Sequence, residues 1–432
     1  MPTTARAANA ATVLRAVLLH GPVPRTRLAE LSDLSPATVT RLYPPLAERR
    51  LLRELEGPEV GQTLGRPRVP VDLDVSGWVA LGVHLGVRRS VVGALDLRGR
   101  LLGAGEVEHE DGAAPETVIG QACDRLRALH ARVAGRRRVL GLGVITGGRG
   151  DTEGGRPSEQ SGFDWSEKDL RAAFSRRVNL GSGVGPTSGS GGPDTSIAPN
   201  PAAAPTAKPT PAPPIFVDEH VRAMATAESL FGRAKRARSL GYLYVGSMLG
   251  FAYSADGAVH RGSRAAAGEI AHLPLGLVAQ HAEGAESGHV VPCGCGSRDC
   301  FLALAGERGV AERAVDLGVV PEPRIDLVLK AARAGDGQAV RLLRDRARNV
   351  GSAVAVLLGI LDPELFVVAG RGLTEASEYL SDLRAGARER LRGRLPVPIV
   401  PTFFGGQVDA VAAASVVIDR VVRDPLAVRV PR

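Results

Sequence analysis

The sequence predicts an α/β protein with a small helical module at its N-terminus and a two-lobed body behind it. Three observations predict this. Residues 9 to 56 read as three short helices, the third opening on Ser35-Pro36. From residue 78 onward, strand-like and helix-like stretches alternate in two halves, separated by a low-complexity run at 181–214. Three thiols, Cys293, Cys295 and Cys300, then fall within eight residues, downstream of His272.

In the module, Asn9 is the expected cap of the first helix, whose apolar stripe is Val13, Leu14, Val17 and Leu18. Gly21-Pro22 stops it. The second helix is expected from about Pro24 to Leu31. After a tight turn, Ser35 is a good N-cap and Pro36 sits where a helix accepts proline. Helix, short turn and second helix make a helix-turn-helix pattern, whose second helix would enter a DNA major groove. Small hydroxyl residues there can meet phosphates and base edges, and arginine can read guanine. Ser35, Thr38, Thr40 and Arg41 are the DNA-facing candidates. Pro44-Pro45 predicts a break or kink after about Tyr43. Residues 51–73 read as a two-stranded wing with a Gly-rich tip, and Gly65-Arg66-Pro67 holds Arg66 out toward a minor groove or a phosphate. Residues 1–70 carry ten arginines against six acids, a balance that suits DNA without requiring it.

In the body, residues 78–102 read as a β-hairpin turned at Arg98-Gly99. A helix follows from about Pro115 to Val133, then a buried strand from Val139 to Ile145. The run at 181–214 has almost no large apolar side chains and is expected to be disordered. A strand at Ile215–Val217 and a helix to about Arg238 resume the chain. Strands near Tyr242–Val245 and Phe251–Ser254 precede the cysteines. Helices fill most of 301–360, and two further strand–helix pairs end the body. The expected division is 1–73 as the DNA-binding module, 74–180 as the first lobe, 181–214 as the insert and 215–432 as the remainder.

Three clustered thiols and an upstream histidine supply one tetrahedral site, and Cys3His is a set zinc favours. With all four positions filled by protein, the metal is structural rather than catalytic. Four cysteines, three of them clustered, fit thiolate ligands in a reducing cytoplasm better than a disulfide framework. Cys123 reads as a buried core thiol. No apolar run is long enough for a membrane span, and the first ten residues lack a secretory pattern. The net charge of +8 suits a polyanion, although nearly all of it is arginine in a chain rich in Ala, Gly and Pro.

The Gly-Arg-Pro wing, the Gly268-Glu269-Ile270-Ala271-His272 segment and the Cys293-x-Cys295-Gly-x-x-x-Cys300 cluster together resemble the ROK family of repressors, open reading frames and kinases. The resemblance spans about residues 9–424, except the insert. It implies an actin-like, ribonuclease-H-like fold of two lobes with a sugar in the cleft, a structural zinc, and a winged helix in the repressor members. It carries the zinc ligands onto His272, Cys293, Cys295 and Cys300. About twenty residues separate His272 from Cys293, roughly twice the family's usual spacing, so His281 and His289 stand as alternatives to His272. Glu269 matches the family's sugar-contacting glutamate.

The family's chemistry does not carry over. Its opening phosphate loop reads His84-Leu85-Gly86-Val87-Arg88, and the second reads Gly246-Ser247-Met248-Leu249-Gly250. The catalytic aspartate aligns with His220, and the glutamate after the last cysteine is Leu302. A histidine can act as a base. Without loops to position and neutralise a triphosphate, phosphoryl transfer has nothing to act on. These residues imply no catalytic residue. With the helix-turn-helix, the resemblance implies a kinase-inactive transcriptional regulator, more naturally a repressor, that is cytoplasmic and binds an operator as a homodimer or higher oligomer, with an ATP-dependent sugar kinase as the weaker alternative. The regulator senses a sugar or sugar derivative, or its body serves only as a dimerisation scaffold.

Overall fold

The computed structural model describes residues 4–55, 69–86, 88–110, 112–133, 135–151, 156–159, 168–178, 212–274, 292–374, 377–394 and 397–430. Most of the insert, the wing tip with Arg66, and both His281 and His289 lie outside these residues.

The first helix, α1 (Ala5–His20), starts earlier than expected. Thr4, not Asn9, caps it by accepting from the Ala7 N–H. A short strand β1 (Val23–Pro24) leads to α2 (Arg25–Ser32) and α3 (Pro36–Glu48). Ser35 caps α3, accepting from the Thr38 N–H at 3.2 Å. The proline pair does not end the helix: α3 runs through Pro44 and Pro45 to Glu48. Leu42 and Leu46, one turn apart, are both buried in the core, and that anchoring carries the last turn past the missing N–H donors. Strands β2 (Leu52–Glu54) and β3 (Pro70–Leu73) pair antiparallel, with β1 on the far side of β3.

The body contains the same plan twice. Strands β4 (Trp78–Leu85), β5 (Arg89–Leu95) and β6 (Leu101–Glu108) form an antiparallel meander, where a single hairpin was expected. The Arg98-Gly99 turn joins β5 to β6, with Gly99 at φ +77°. Helix α4 (Pro115–Val133) crosses to β7 (Arg138–Thr146), which lies parallel to β4. A small ladder of β8 (Arg149–Asp151) and β9 (Arg156–Glu159) precedes α5 (Leu170–Arg177). Strand β10 (Ile215–Glu219) then adds parallel to β7, and α6 (His220–Phe231) follows, ending about two turns before the expected limit.

The second lobe repeats the meander in β11 (Ser239–Val245), β12 (Leu249–Ala255) and β13 (Ala258–Val259). Helices α7 (Phe301–Ala305), α8 (Glu307–Asp316), α9 (Ile325–Arg333) and α10 (Gly337–Leu361) intervene. Strand β14 (Leu365–Ala369), α11 (Ser377–Arg390), β15 (Ile399–Pro401) and α12 (Val408–Arg423) complete it. The sheet orders are β10-β7-β4-β5-β6 and β13-β12-β11-β14-β15, each a meander with two parallel strands added.

The last helix of each half crosses over. Helix α6 packs on β11 and β12 of the second sheet, while α12 packs on β4, β5 and β7 of the first, and the two helices pack on each other. Glycines make the second crossing possible. A Cβ on Gly82 would lie 2.3 Å from Ala414 N, one on Gly93 2.4 Å from Ala410 O, and one on Gly143 1.9 Å from Ala413 O. One continuous core therefore runs from α1 and α3 through α12 to α6.

Candidate functional site

Three places carry the sequence-derived candidates. The first is the exposed face of α3. Val39, Leu42 and Leu46 face the core, which leaves Ser35, Thr40 and Arg41 exposed and Thr38 half-buried. The hydroxyls are already engaged. Ser35 Oγ lies 2.8 Å from Thr38 Oγ1, and Thr40 Oγ1 donates to the Pro36 carbonyl at 2.9 Å. Arg41 is the long cationic side chain on this face. The module is braced against the body: Trp78 Nε1 donates to the Arg49 carbonyl at 2.7 Å, Arg50 pairs with Asp74 at 3.1 Å, and Arg98 pairs with Asp72 of β3.

The second is the cysteine cluster. One ligand atom from each of His272, Cys293, Cys295 and Cys300 falls within 4.8 Å of every other. Cys295 Sγ to Cys300 Sγ is 3.9 Å, and Cys293 Sγ to His272 Nδ1 is 3.6 Å. A tetrahedral ion with metal–sulfur bonds of about 2.3 Å requires sulfurs about 3.8 Å apart, so the donor set fits such an ion. Local folding explains the convergence. Cys293 donates its N–H to Ser297 O and accepts from the Gly296 N–H at its own carbonyl, closing a knuckle with Gly296 at φ +84°. Cys300 caps α7 and is buried. Leu302 N–H donates to Ala271 O and Phe301 N–H to Leu273 O, which fixes the His272 turn beside the knuckle. Burial pushes the Cys300 thiol up to about 11. The Ser297 backbone hydrogen bond, with help from the neighbouring thiols, lowers Cys295.

The third is the cleft. A cavity of about 570 Å³ is bounded by Glu269 and His272 on one side and by His220, Arg222 and Met248 on another. Both proposed ligand-contacting residues, Glu269 and His272, therefore border one space. Gly268 takes φ +93°, and a Cβ there would lie 1.8 Å from Phe251 O, so only glycine lets the Glu269 loop lie this close to β12. Met248 closes on Gly147: a Cβ on Gly147 would lie 2.4 Å from its Cε.

Sequence reasoning missed the ionic group beside this cleft, of which Glu219, His220 and Arg222 line the cavity. Asp218 is engaged by Arg222 Nε at 3.0 Å and by both terminal nitrogens of Arg261, at 3.1 and 2.5 Å. Glu219 caps α6 by accepting from the Val221 and Arg222 N–H groups, each at 2.9 Å. His220 is 3% exposed, with Nδ1 3.0 Å from Glu219 Oε1. Burial alone would lower the His220 pKa, but Glu219, Asp409 and the Thr146 backbone raise it. Asp409, on the first turn of α12, lies 3.5 Å from His84 Nδ1 and 3.6 Å from Arg89 Nη2. Burial would push its carboxyl up, yet His84, Arg89 and His220 together hold it at about 2. The His84 and His220 rings are 5.9 Å apart. A histidine inside the apolar β4 stretch and a lone acid opening the apolar α12 were the available signals. Among the described residues, no helix is long and apolar enough to cross a membrane.

Known proteins share this architecture. Residues 208–419 match the ROK family. Over 428 residues the chain is 32% identical to transcriptional regulator Rv0485 of Mycobacterium tuberculosis, covering 96% of this chain and 86% of that protein. It is 22% identical over 405 residues to the DNA-binding transcriptional dual regulator NagC of Escherichia coli, covering 90% and 87%. A ROK family transcriptional regulator structure, a homologue of E. coli MLC, superposes with a TM-score of 0.72 at 20% identity over 98% of each chain. A ROK family glucokinase from Streptomyces griseus, solved with glucose and AMPPNP, superposes at 0.60 with 22% identity, over 78% of this chain and 98% of that one. The fold thus serves regulators and kinases alike. The relative at 32% identity, aligned over nearly the whole length, joins the residue-level likeness to a shared architecture: this chain belongs to the ROK family.

Proposed function

We propose that this chain is a DNA-binding transcriptional regulator, most simply a repressor, whose body descends from a sugar kinase and no longer transfers phosphate. Residues 1–73 form a winged helix-turn-helix, with α3 as the recognition helix and Ser35, Thr38, Thr40, Arg41 and Arg66 as its DNA-facing residues. The observation that carries the reading is the two-faced α3: three apolar residues in the core, Ser35, Thr40 and Arg41 exposed. A homodimer would present two such helices to a pseudo-palindromic operator. His272, Cys293, Cys295 and Cys300 hold a structural zinc, which when bound pins the loop bordering the cleft.

The cleft takes a sugar or sugar derivative, with Glu269 accepting hydrogen bonds from its hydroxyls. Catalysis is not part of the reading. His220 stands where a kinase keeps its aspartate, but it is buried against Glu219, and Met248 occupies the phosphate passage. Effector binding acts by favouring one lobe arrangement over another. Mobility shift on the DNA flanking the protein's own gene tests the output, with Arg41→Ala as control. Calorimetry with hexoses and amino sugars tests the sensor. No heat from any of them would leave the body as a dimerisation scaffold.

A further inference from the structure

The segment that joins α6 to β11 carries a run of positive charge that neither the cleft nor the metal cluster uses. Residues 233–238 read Arg-Ala-Lys-Arg-Ala-Arg, four bases in six residues with no acid. Arg233, Lys235, Arg236 and Arg238 are all exposed. The two alanines face the other way: Ala234 is buried, and Ala237 packs against the core that holds α1, α6 and α12. The Ala234 N–H donates to Glu228 O at 3.2 Å and the Ala237 N–H to Ala234 O at 3.0 Å, so the turn is held from beneath and its cations stand on the outer side.

A solvated face mixes its signs, and one cation is enough to complement the C-terminal end of a helix. Neither accounts for this run. The chain's general preference for arginine does not account for it either, because Lys235 is one of only four lysines in 432 residues. Two acids border the run. Arg238 Nε is 3.8 Å from Asp256 Oδ1, an open contact between side chains 82% and 79% exposed, and Glu364 accepts from the Arg238 N–H at 2.8 Å. Among the described residues, Lys235 and Arg236 have no ion-pair partner.

The position of the run points to its partner. Both of its ends adjoin the parts of the body that hold the three-helix module. At one end Phe231 packs on Gly99, and the neighbouring Arg98 pairs with Asp72 of β3. At the other, Arg238 O accepts from the Asp256 N–H at 2.6 Å, and the next residue, Gly257, lies against the Arg15 guanidinium of α1. A second run, Arg136-Arg137-Arg138, borders the linker to the module, with Arg137 Nε donating to Val75 O at 3.2 Å. The end of the body beside the module is therefore basic.

We propose that the 233–238 turn is a second DNA-contacting surface, on the body, that meets the phosphate backbone of the duplex held by α3. This rests on reading α3 as the recognition helix. Phosphate contacts add affinity and fix orientation without reading bases. The turn thus strengthens binding and leaves the choice of sequence to the module.

Fluorescence anisotropy of the full-length zinc-loaded protein tests this, on duplex DNA from upstream of its own gene and on a scrambled duplex of equal length, each titrated with salt. Lys235→Gln combined with Arg236→Gln should make the log–log salt slope shallower by about two, roughly one for each lost phosphate contact. The ratio of the affinities for the two duplexes should stay as in the wild type. Arg341→Gln combined with Arg390→Gln is the control. It removes the same charge from exposed positions on α10 and α11, whose core is separate from the module's, and should leave the slope unchanged. A wild-type slope in the Lys235 and Arg236 variant, or an equal loss in the control, would overturn the contact. So would wild-type binding to vesicles of phosphatidylserine and phosphatidylcholine that this variant loses while its DNA slope stays, since the turn would then face an anionic membrane. Absence of wild-type binding to either duplex would sink the recognition-helix reading and this one together; wild-type binding with an unchanged variant slope sinks this one alone.

Discussion

Met248 of the second lobe lies against Gly147 of the first, so close that a Cβ on the glycine would sit 2.5 Å from the thioether sulfur. The same side chain borders the cleft beside His220, and on the proposed reading its turn stands where a kinase would hold phosphate. Phosphoryl transfer depends on backbone and metal positioning of the triphosphate. With ATP, magnesium and a panel of hexoses, turnover should not exceed the blank. Turnover abolished by His220→Ala would reverse the regulator-over-kinase ranking.

The metal cluster predicts one zinc per chain by elemental analysis. Cys300→Ser should lose it, because Cys300 is one of the four converging donors and also caps α7. Chelation should lower the melting temperature, since the ion ties the His272 turn to the knuckle. Binding must displace thiol protons, including that of Cys300 at about 11, so zinc affinity should fall as pH falls.

His220 predicts a pH dependence of stability. The groups around it are Glu219 at its own helix start, Asp409 of α12, the Thr146 backbone of β7, His84 of β4 and Tyr244 of β11. Its folded pKa is raised above the ordinary 6.5. Its contribution is therefore complete below that value and is lost as pH climbs through the raised one. Glu219 and Asp409, both held at about 2, act oppositely: their contribution is present above the ordinary carboxylate range and fades as pH falls toward 2. The melting temperature should decline from about pH 6.5 upward, and His220→Gln should flatten that decline.

Leu46 lies beyond the proline pair of α3 and is 0% exposed. Leu46→Ala should destabilise by about 2–5 kcal/mol, as for other fully buried leucines. A loss under about 1 kcal/mol in urea unfolding would mean that the last turn of α3 does not pack as described.

Much of this was legible in the chain. Cap chemistry placed Ser35 at the head of α3, and the thiol spacing placed three ligands around one point. The two-lobed alternation held, although three features escaped. The proline pair pointed to a break, but burial of Leu46 outweighed the lost donors. Asn9 was a plausible cap, yet Ala7 and Ala10 are buried, which extends the helix back to Thr4. The Asp409–His84–Arg89 group joins residues more than 300 positions apart, and no local pattern links them.

The central claim is that α3 reads DNA for a kinase-derived body. Fluorescence anisotropy of the zinc-loaded protein on duplex DNA from upstream of its own gene, titrated with salt, tests it most directly. Binding should weaken linearly in log–log form as salt rises, and Arg41→Ala should bind more weakly, with a slope reduced by about one if Arg41 meets a phosphate. No measurable binding to that duplex at low salt, or equal binding by Arg41→Ala at every salt concentration, would contradict the account.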